Sequence, residues 1–212
     1  RGEDVIKVRV RSGDHLFVDR LTYNFRPPER GEIIVFATAG IQNWGPRLDA
    51  NQEIMRDRQQ NPLVENRMPQ DQFYIKRLVG LSGEELKISD DRHLIVNSMK
   101  LDASTPHFEF VYGFSPKDRP ADSSYSGHVN QSTAASYGWN AYDPRGPFAA
   151  LFPDANTAYT VASNQLVVMG DNTMNSSDSR FWGGFPSTNV IGRSCFVYWP
   201  LSKRFGSANL YH

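Results

Sequence analysis

Apolar and polar residues alternate over short runs along much of the chain, and turn residues separate the runs. Residues 5–10 alternate apolar positions with partly basic ones, which is the period of a half-exposed β-strand. Residues 90–92, Asp-Asp-Arg, separate two such runs and predict a hairpin turn. Other runs rich in β-branched and aromatic residues predict strands at 16–19, 32–36, 73–79, 85–89, 94–96, 165–169 and 195–199.

Helical periodicity is weak by comparison. The only stretch that suggests a helix lies near residues 48–59, and it is short. The pattern therefore predicts a mainly-β protein.

Two long polar stretches interrupt the predicted strands. Residues 37–70 and 102–163 are rich in turn-forming residues, and the second also carries isolated aromatic residues. Such stretches are too long for plain connections, so we expect insertions that fold back on a β scaffold. The predicted organisation is a discontinuous β core (1–101 and 164–204), insertions at 37–70 and 102–163, the latter a second lobe, and a C-terminal tail at 205–212.

Charge is balanced over the 212 residues. Lys and Arg number 23, Asp and Glu also number 23, and the formal net charge is zero. Proteins that bind nucleic acid need a clustered basic face, because phosphate contacts supply much of the affinity. The composition therefore argues against nucleic acid as a partner.

The single cysteine, Cys195, excludes an internal disulfide and a zinc site built from thiolates. It lies in an apolar predicted strand, so we expect it to be a small buried core residue. The 5 histidines show no metal-ligand spacing. The sequence predicts neither a metal nor an organic cofactor.

No apolar run approaches the roughly 18 to 20 residues that a membrane-spanning helix needs. The chain begins at Arg1 rather than Met. We therefore expect a processed or truncated piece whose membrane anchor lies outside it.

The predicted strand 73–79 carries a lysine in apolar surroundings. Strand alternation places Lys76 on one face with Tyr74 and Leu78, and Arg77 on the opposite face. A lysine acts as a general base near neutral pH only if desolvation lowers its pKa by roughly 3 units. The alternative is a surface lysine that extends its amine into solvent.

A second candidate region follows the predicted strand 165–169. Residues 170–180 are dense in Asp, Asn and Ser, whose side chains bond nearby backbone and form ordered turns. A turn alone does not account for Asp178 and Arg180. That spacing suits a charge-assisted bond that braces a site.

These motifs resemble those of type I signal peptidases. The family has a lysine-containing strand similar to residues 74–83, and a Gly-Asp-Asn…Asn-Ser-x-Asp-Ser-Arg-x-Trp-Gly segment matched by residues 170–183. Residues 13–18 resemble the strand that follows the family's nucleophile motif. Residues 30–36 resemble an Arg-Gly-Asp-Ile-Val-Val-Phe box, with Glu32 in place of Asp. The resemblance implies coiled, partly barrel-like antiparallel sheets.

The resemblance also implies roles for individual residues. Lys76 matches the general base that takes the proton from a serine, and Ser176 matches the hydroxyl that orients it. We therefore expect Lys76 Nζ within about 3 Å of Ser176 Oγ, in a cleft open on one side.

Six further positions match residues around the base. Asp178 and Arg180 match residues that brace the site, whereas Asp171 and Arg77 match positions with a mainly structural role. Near Tyr74 and Ile75 the family's substrate pairs as an added strand, in which main-chain bonds supply affinity and alternate side chains supply specificity.

The family's nucleophile motif, Ser-x-Met-x-Pro, is not found in this chain. Its usual place before Gly13 is occupied by residues 5–10, which contain no serine. We expect the motif upstream of Arg1, and the chain by itself to be inactive. The alternative is that the nucleophile has been lost.

The implied function is that of a membrane-anchored serine endopeptidase acting by a Ser–Lys dyad on the signal peptides of exported proteins. Its catalytic domain would lie on the extracytoplasmic side of the cell membrane. One rival is a self-cleaving repressor-type Ser–Lys protease, a class that lacks the segment matched by residues 170–183. Another is a non-catalytic β-rich module that binds peptide or glycan.

Overall fold

The computed structural model describes residues 15–120, 125–139, 148–199 and 206–207. In these ranges the helices are short, and none is long and apolar enough to cross a membrane. The helices are α1 (Gln131–Ser136), α2 (Ser179–Trp182) and 3-10 turns at Thr22–Asn24, Thr173–Asn175 and Ser187–Asn189. The strands are β1 (His15–Asp19), β2 (Ile33–Ala37), β3 (Trp44–Pro46), β4 (Val64–Asn66), β5 (Phe73–Gly80), β6 (Glu85–Ile88), β7 (Leu94–Val96), β8 (Met99–Lys100), β9 (Tyr159–Thr160), β10 (Gln165–Met169), β11 (Phe185–Pro186), β12 (Val190–Trp199) and β13 (Gly206–Ser207).

The largest sheet is antiparallel and has the order β1-β12-β2-β5-β10-β11, with β13 also paired to β12. β1 and β11 lie at opposite ends of this order, so the described strands do not close into a barrel. β5 pairs with β2 over residues 73–77. On its other side, the last pair with β10 joins Arg77 to Met169. The chain therefore leaves the sheet at Gly170, beside Lys76.

Alternating side chains bury both faces of β10 and of the second half of β5. Val79 and Val167 belong to one apolar cluster, and their neighbours Leu78 and Val168 belong to another. A strand buried on both faces holds its side chains rigidly, because neither face can relax into solvent. The functional residues that follow are attached to these two strands.

The apolar cluster that contains Val79 and Val167 joins the large sheet to a second sheet and to the 102–163 segment. A second antiparallel sheet, with the order β8-β7-β6-β9, packs there, and β9 belongs to the 102–163 segment. The same segment contributes Phe108, Tyr112 and Phe152 to the cluster. The 102–163 segment thus folds back on the β scaffold, while its division from the core as a separate lobe stays a prediction.

The mainly-β prediction is confirmed. The predicted strands beginning at residue 16 or later all occur, with ends shifted by a few residues, and residues 90–92 form the turn between β6 and β7. The predicted strand at 5–10 lies outside the described residues.

The suggested helix at residues 48–59 is wrong. Asp49 Oδ1 accepts hydrogen bonds from the backbone N–H groups two and four residues ahead, at 2.8 and 2.9 Å, and Asp57 Oδ1 does the same at 2.8 and 2.9 Å. Each turn also contains a residue with positive φ, Gln52 at 66° and Gln60 at 68°. Local side-chain bonds of this kind compete with helix formation and win here.

The expected burial of Cys195 is also wrong, because its side chain is exposed. Its neighbour Ser194 is 3% exposed. Successive residues of a strand point to opposite faces, so β12 turns Ser194 inward and Cys195 outward at this point.

Glu32, at the position where the box that residues 30–36 resemble has aspartate, is 4% exposed and accepts several hydrogen bonds. Its carboxylate accepts from Arg26 Nη1 at 3.0 Å, Tyr23 Oη at 3.1 Å, the Glu29 backbone N–H at 2.8 Å and Arg193 Nη1 at 3.4 Å. The longer glutamate reaches groups on the loop before β2 and on β12. It ties that loop to the sheet.

Candidate active site

A cleft of about 210 Å³ opens where β10 ends beside β5. Lys76 lies at this point, half-buried, on the β5 face that it shares with Tyr74 and Leu78. The cleft is lined by Ile33, Ile75, Lys76, Arg77, Gly170, Asp171, Asn172, Asn175 and Ser176.

Lys76 and Ser176 converge on the backbone of Gly170. A Cβ atom placed on Gly170 would lie 2.1 Å from Ser176 Oγ and 3.5 Å from Lys76 Nζ. Only glycine leaves room for this approach, since real Cβ atoms essentially never come within 3.0 Å of another heavy atom. The absence of a side chain at position 170 is therefore what allows the two groups to share one floor of the cleft.

The expected hydrogen bond between Lys76 and Ser176 is not formed in this structure. Ser176 is 7% exposed, and its Oγ has no hydrogen-bond partner among the described residues. The hydroxyl lies close enough to Asp178 to lower the pKa of that carboxyl, but without ordinary hydrogen-bond geometry. A buried hydroxyl without a hydrogen-bond partner carries a desolvation cost.

The pKa of Lys76 is lowered below its ordinary value, and burial is the main cause. The negative charges of Asp178 and Asp171 raise this pKa, whereas the positive charge of Arg180 lowers it. Burial prevails because an ammonium loses its hydration when it is half-enclosed by apolar neighbours. The lysine is thereby biased toward the neutral amine that a general base requires.

Asp178 lies at the end of the segment 170–178, which carries Ser176, and bonds to backbone N–H groups at the start of the segment and just after it. Its carboxylate accepts the Gly170 backbone N–H at 2.9 Å and the Arg180 backbone N–H at 3.1 Å, where it caps the amino end of α2. Ser179 Oγ accepts the Val168 backbone N–H at 3.0 Å. The segment 170–178 is thus tied back onto the end of β10, which fixes Ser176 against Gly170.

Asp178 and Arg180 form a buried ion pair. Arg180 Nε and Nη2 donate to the two carboxylate oxygens of Asp178, each at 2.9 Å. Although burial alone would raise the pKa of Asp178, the Arg180 guanidinium holds it below its usual value. The carboxylate is therefore charged and fixed.

Arg77 and Asp171 form a second bidentate pair, at 2.8 Å from Nε and 2.7 Å from Nη2. Arg77 Nη1 also donates to the backbone carbonyls of Gly31 at 2.8 Å and His107 at 2.7 Å. The pair joins the segment after β10 to β5, to the start of β2 and to the 102–163 segment. Asp171 is held at the cleft wall by these bonds.

Tyr74 and Ile75 lie on opposite faces of β5 beside Lys76. Tyr74 packs against Phe36 and Trp182, with ring centroids 6.2 and 6.1 Å apart. Ile75 is 40% exposed and lines the cleft. The last pair between β5 and β10 involves Arg77, so this end of β5 extends beyond its neighbour.

The structure thus brings all the site residues predicted from the sequence to one region around the end of β10. It adds Ile33, Asn172 and Asn175, which the sequence did not single out as cleft residues. Ile33 enters because its register places it opposite Arg77 on β5. Strand register of this kind is not readable from one sequence.

No three His, Cys, Asp or Glu side chains are grouped as metal ligands within the described ranges. What the described groups provide is a half-buried amine, a buried hydroxyl and two fixed ion pairs. This set can take and return a proton, and can hold its own geometry while doing so.

The chain is similar in sequence to signal peptidases. Signal peptidase I of Leptolyngbya laminosa is 27% identical over 191 residues, which cover 90% of this chain and 62% of that protein. The probable signal peptidase I-2 of Synechocystis sp. is 25% identical over 194 residues, covering 92% and 59% respectively. The chain spans about three fifths of the length of these relatives.

A solved structure, signal peptidase I from Enterococcus faecalis V583, overlaps with a TM-score of 0.37 at 20% identity, covering 79% of this chain and 97% of that one. The model of the family described as signal peptidase, peptidase S26, matches residues 6–199. That match includes β5 with Lys76 and the whole segment from Gly170 to α2. The chain belongs to the signal peptidase family, peptidase S26.

Proposed function

We propose that this chain is part of a membrane-anchored serine endopeptidase that removes signal peptides from exported proteins on the extracytoplasmic side of the membrane. The observation that carries the proposal is the convergence of half-buried Lys76 and buried Ser176 on Gly170, at the floor of an open cleft. A structural lysine would gain nothing from a site that disfavours its charge.

In this proposal Lys76 is the general base and Ser176 orients its amine. Ser176 Oγ has no hydrogen-bond partner in the described part of the chain, so it is available to bind Lys76 Nζ. The ion pairs of Asp178 with Arg180 and of Asp171 with Arg77 hold in place β5, which carries Lys76, and the segment after β10, which carries Ser176. The proposal includes no metal and no organic cofactor.

The nucleophile is proposed to be a serine from a segment that precedes Arg1 in the natural protein. Its hydroxyl attacks the scissile carbonyl carbon while neutral Lys76 takes the proton. The C–N bond then breaks, and the Lys76 ammonium returns the proton to the departing amine. Water hydrolyses the resulting ester, again with Lys76 as the base, and restores the serine.

The substrate is proposed to lie along the exposed end of β5, beside Tyr74 and Ile75. A signal peptide in extended form would add a strand where β5 extends past β10, and its alternate side chains would enter the cleft. The wall formed by Ile33 and Ile75 is apolar and the cleft is small. Small side chains next to the cleaved bond fit these dimensions.

The test uses the natural gene product with its upstream segment, in detergent or in vesicles, and a purified preprotein. Lys76→Ala should reduce kcat by about 10²–10⁴-fold, the usual contribution of a general base. Lys117→Ala is the matched control, because Lys117 is exposed. Full activity of Lys76→Ala would overturn the assignment, and preprotein binding without cleavage by the parent protein would favour a non-catalytic binding module.

A further inference from the structure

Thr173 lies at a junction between the active-site segment and the 102–163 segment. It is 0% exposed. Its Oγ1 accepts the Arg180 Nη1 donor at 2.8 Å and the Val129 backbone N–H at 3.1 Å. One hydroxyl thus holds a charged side chain of the site and the backbone of a distant segment at the same time.

We propose that Thr173 is a positioning residue for the reaction, which fixes the Arg180 guanidinium against the backbone of Val129 and thereby sets the charge that faces Lys76. The proposal rests on the proposed function of the same site. It assigns a task to the 102–163 segment, which supplies the fixed end of this arrangement.

The geometry of Arg180 explains why Thr173 matters. One edge of the guanidinium is bound to Asp178. Nη1 donates to Thr173 Oγ1 and to the Val129 carbonyl at 3.3 Å, and Nη2 also donates to the Thr173 carbonyl at 2.7 Å. The ring of Phe148 lies 5.0 Å from the guanidinium carbon. Thr173 therefore provides the side-chain acceptor for Nη1, the one guanidinium nitrogen that Asp178 does not bind.

From Arg180 the contacts continue to the reacting groups. Asp178, fixed by Arg180, accepts the Gly170 N–H at 2.9 Å, and Gly170 is the residue on which Lys76 and Ser176 converge. A shift of the guanidinium is passed along this path by buried hydrogen bonds. A displacement of Gly170 would change the distance between Lys76 and the group it deprotonates, and proton transfer depends steeply on that distance.

Lys76 also responds to the charges around it. The groups that act on it are Asp178 and Asp171, which favour its protonation, and Arg180, which opposes it. If the Thr173 hydroxyl is removed, Nη1 of Arg180 loses its 2.8 Å acceptor, and the guanidinium relaxes away from its present position while Asp178 still binds it. The opposing charge then weakens, and the pKa of Lys76 rises.

Two substitutions at this position separate the hydroxyl from the volume. Thr173→Val keeps the shape and removes the acceptor, whereas Thr173→Ser keeps the acceptor and removes a methyl group. In the natural gene product, Thr173→Val should lower kcat at pH 7 by about tenfold and move the acidic limb of its pH profile upward. Thr173→Ser should stay within about twofold of the parent enzyme, with an unshifted limb.

A second measurement does not require activity. The lysine Cε resonances of the 212-residue chain, labelled with carbon-13, are titrated, and Lys76 is assigned by the resonance that Lys76→Met removes. Lys76 should titrate at higher pH in Thr173→Val than in Thr173→Ser or the parent chain. An unshifted titration, or an equal kcat loss in both variants, would assign Thr173 a merely structural role and overturn the proposal.

The two proposals fail in different ways. If the parent enzyme does not cleave a preprotein, the proposed function fails, while the Lys76 titration still decides whether Thr173 controls the charge at Lys76. If the parent cleaves but neither the pH limb nor the titration moves in Thr173→Val, the positioning role fails alone.

Discussion

Asp178 and Arg180 pair through two hydrogen bonds of 2.9 Å, and neither side chain has any exposed surface. Both side chains also bond to other groups: Asp178 accepts the Gly170 N–H, and Arg180 Nη1 donates to Thr173 Oγ1. A fully bonded buried pair adds little to stability compared with an apolar pair, but it is costly to break. The pair therefore specifies the shape of the site.

Removing one member of this pair should be severe. Asp178→Ala leaves the Arg180 charge buried without a counter-charge, and we expect a loss of about 3–5 kcal/mol in the free energy of unfolding. Urea denaturation measures it. Asp71→Ala, at an exposed position, is the control and should change stability by less than about 0.5 kcal/mol. Equal losses in the two variants would show that the pair is not the cause.

Gly170→Ala tests the close approach at the cleft floor. The new Cβ would meet Ser176 Oγ at 2.1 Å and Ser176 Cβ at 2.6 Å, so we expect a loss of about 1–3 kcal/mol from overpacking. Adding Ser176→Gly removes both obstructing atoms and should recover part of that loss, whereas Ser176→Ala leaves the Cβ contact. A double-mutant cycle by urea denaturation gives the coupling, and strict additivity would contradict the predicted clash.

Lys76 should reduce stability near neutral pH. Its folded-state pKa is lowered, mainly by burial, so between that pKa and the ordinary value the unfolded chain binds more protons than the folded one, and stability rises with pH there. Lys76→Met should therefore be at least as stable as the parent chain at pH 7, and its advantage should shrink as the pH rises toward about 10. Lys117→Met is the surface control. A destabilised Lys76→Met at pH 7 would mean that the charged amine is well solvated.

His128 predicts a pH dependence of stability in the acid range. Its side chain is fully buried beside Tyr112 Oη, 2.8 Å from Nδ1, and burial together with the charge of Arg180 lowers the pKa of His128 to about 4 from an ordinary 6.5. The unfolded chain takes up a proton between these values and the folded chain does not. Stability should therefore fall by up to about 3 kcal/mol as the pH drops from 6.5 to 4.

The His128→Gln variant removes this titration and retains a hydrogen-bonding group toward Tyr112. Thermal unfolding of both proteins from pH 8 to pH 4 should show a steeper acid loss in the parent. At pH 8, where the histidine is neutral in both states, the comparison measures packing alone. Parallel curves across the acid range would rule out His128 as the source of the pH dependence.

Strand positions were predictable because their signal is local. The alternation around Lys76 already separates Lys76 from Arg77, and the structure places the neighbours of Lys76 in one apolar cluster and Arg77 against the 102–163 segment. The same reasoning failed at Cys195, since a short apolar run does not say which of its faces is covered. It failed at residues 48–59 because the Asp49 and Asp57 side chains satisfy nearby backbone N–H groups without a helix.

The residue types of the site were also visible in the sequence, since the Gly170–Arg180 segment carries them within a few residues. Their relation to Lys76 was not. Lys76 and Ser176 meet only because β5 pairs with β10 in one register and Asp178 folds the chain back onto Gly170. The positions of Ile33 in the cleft and of Thr173 against Val129 depend on long-range contacts of the same kind.

The sequence by itself determined the β-rich architecture and the chemical groups of the site, because alternation and side-chain chemistry are properties of neighbouring residues. The tertiary structure decided which groups share the cleft, how far Lys76 is desolvated and what holds Arg180. These depend on strand register and on burial by segments far apart in the chain, where small differences in packing select one arrangement.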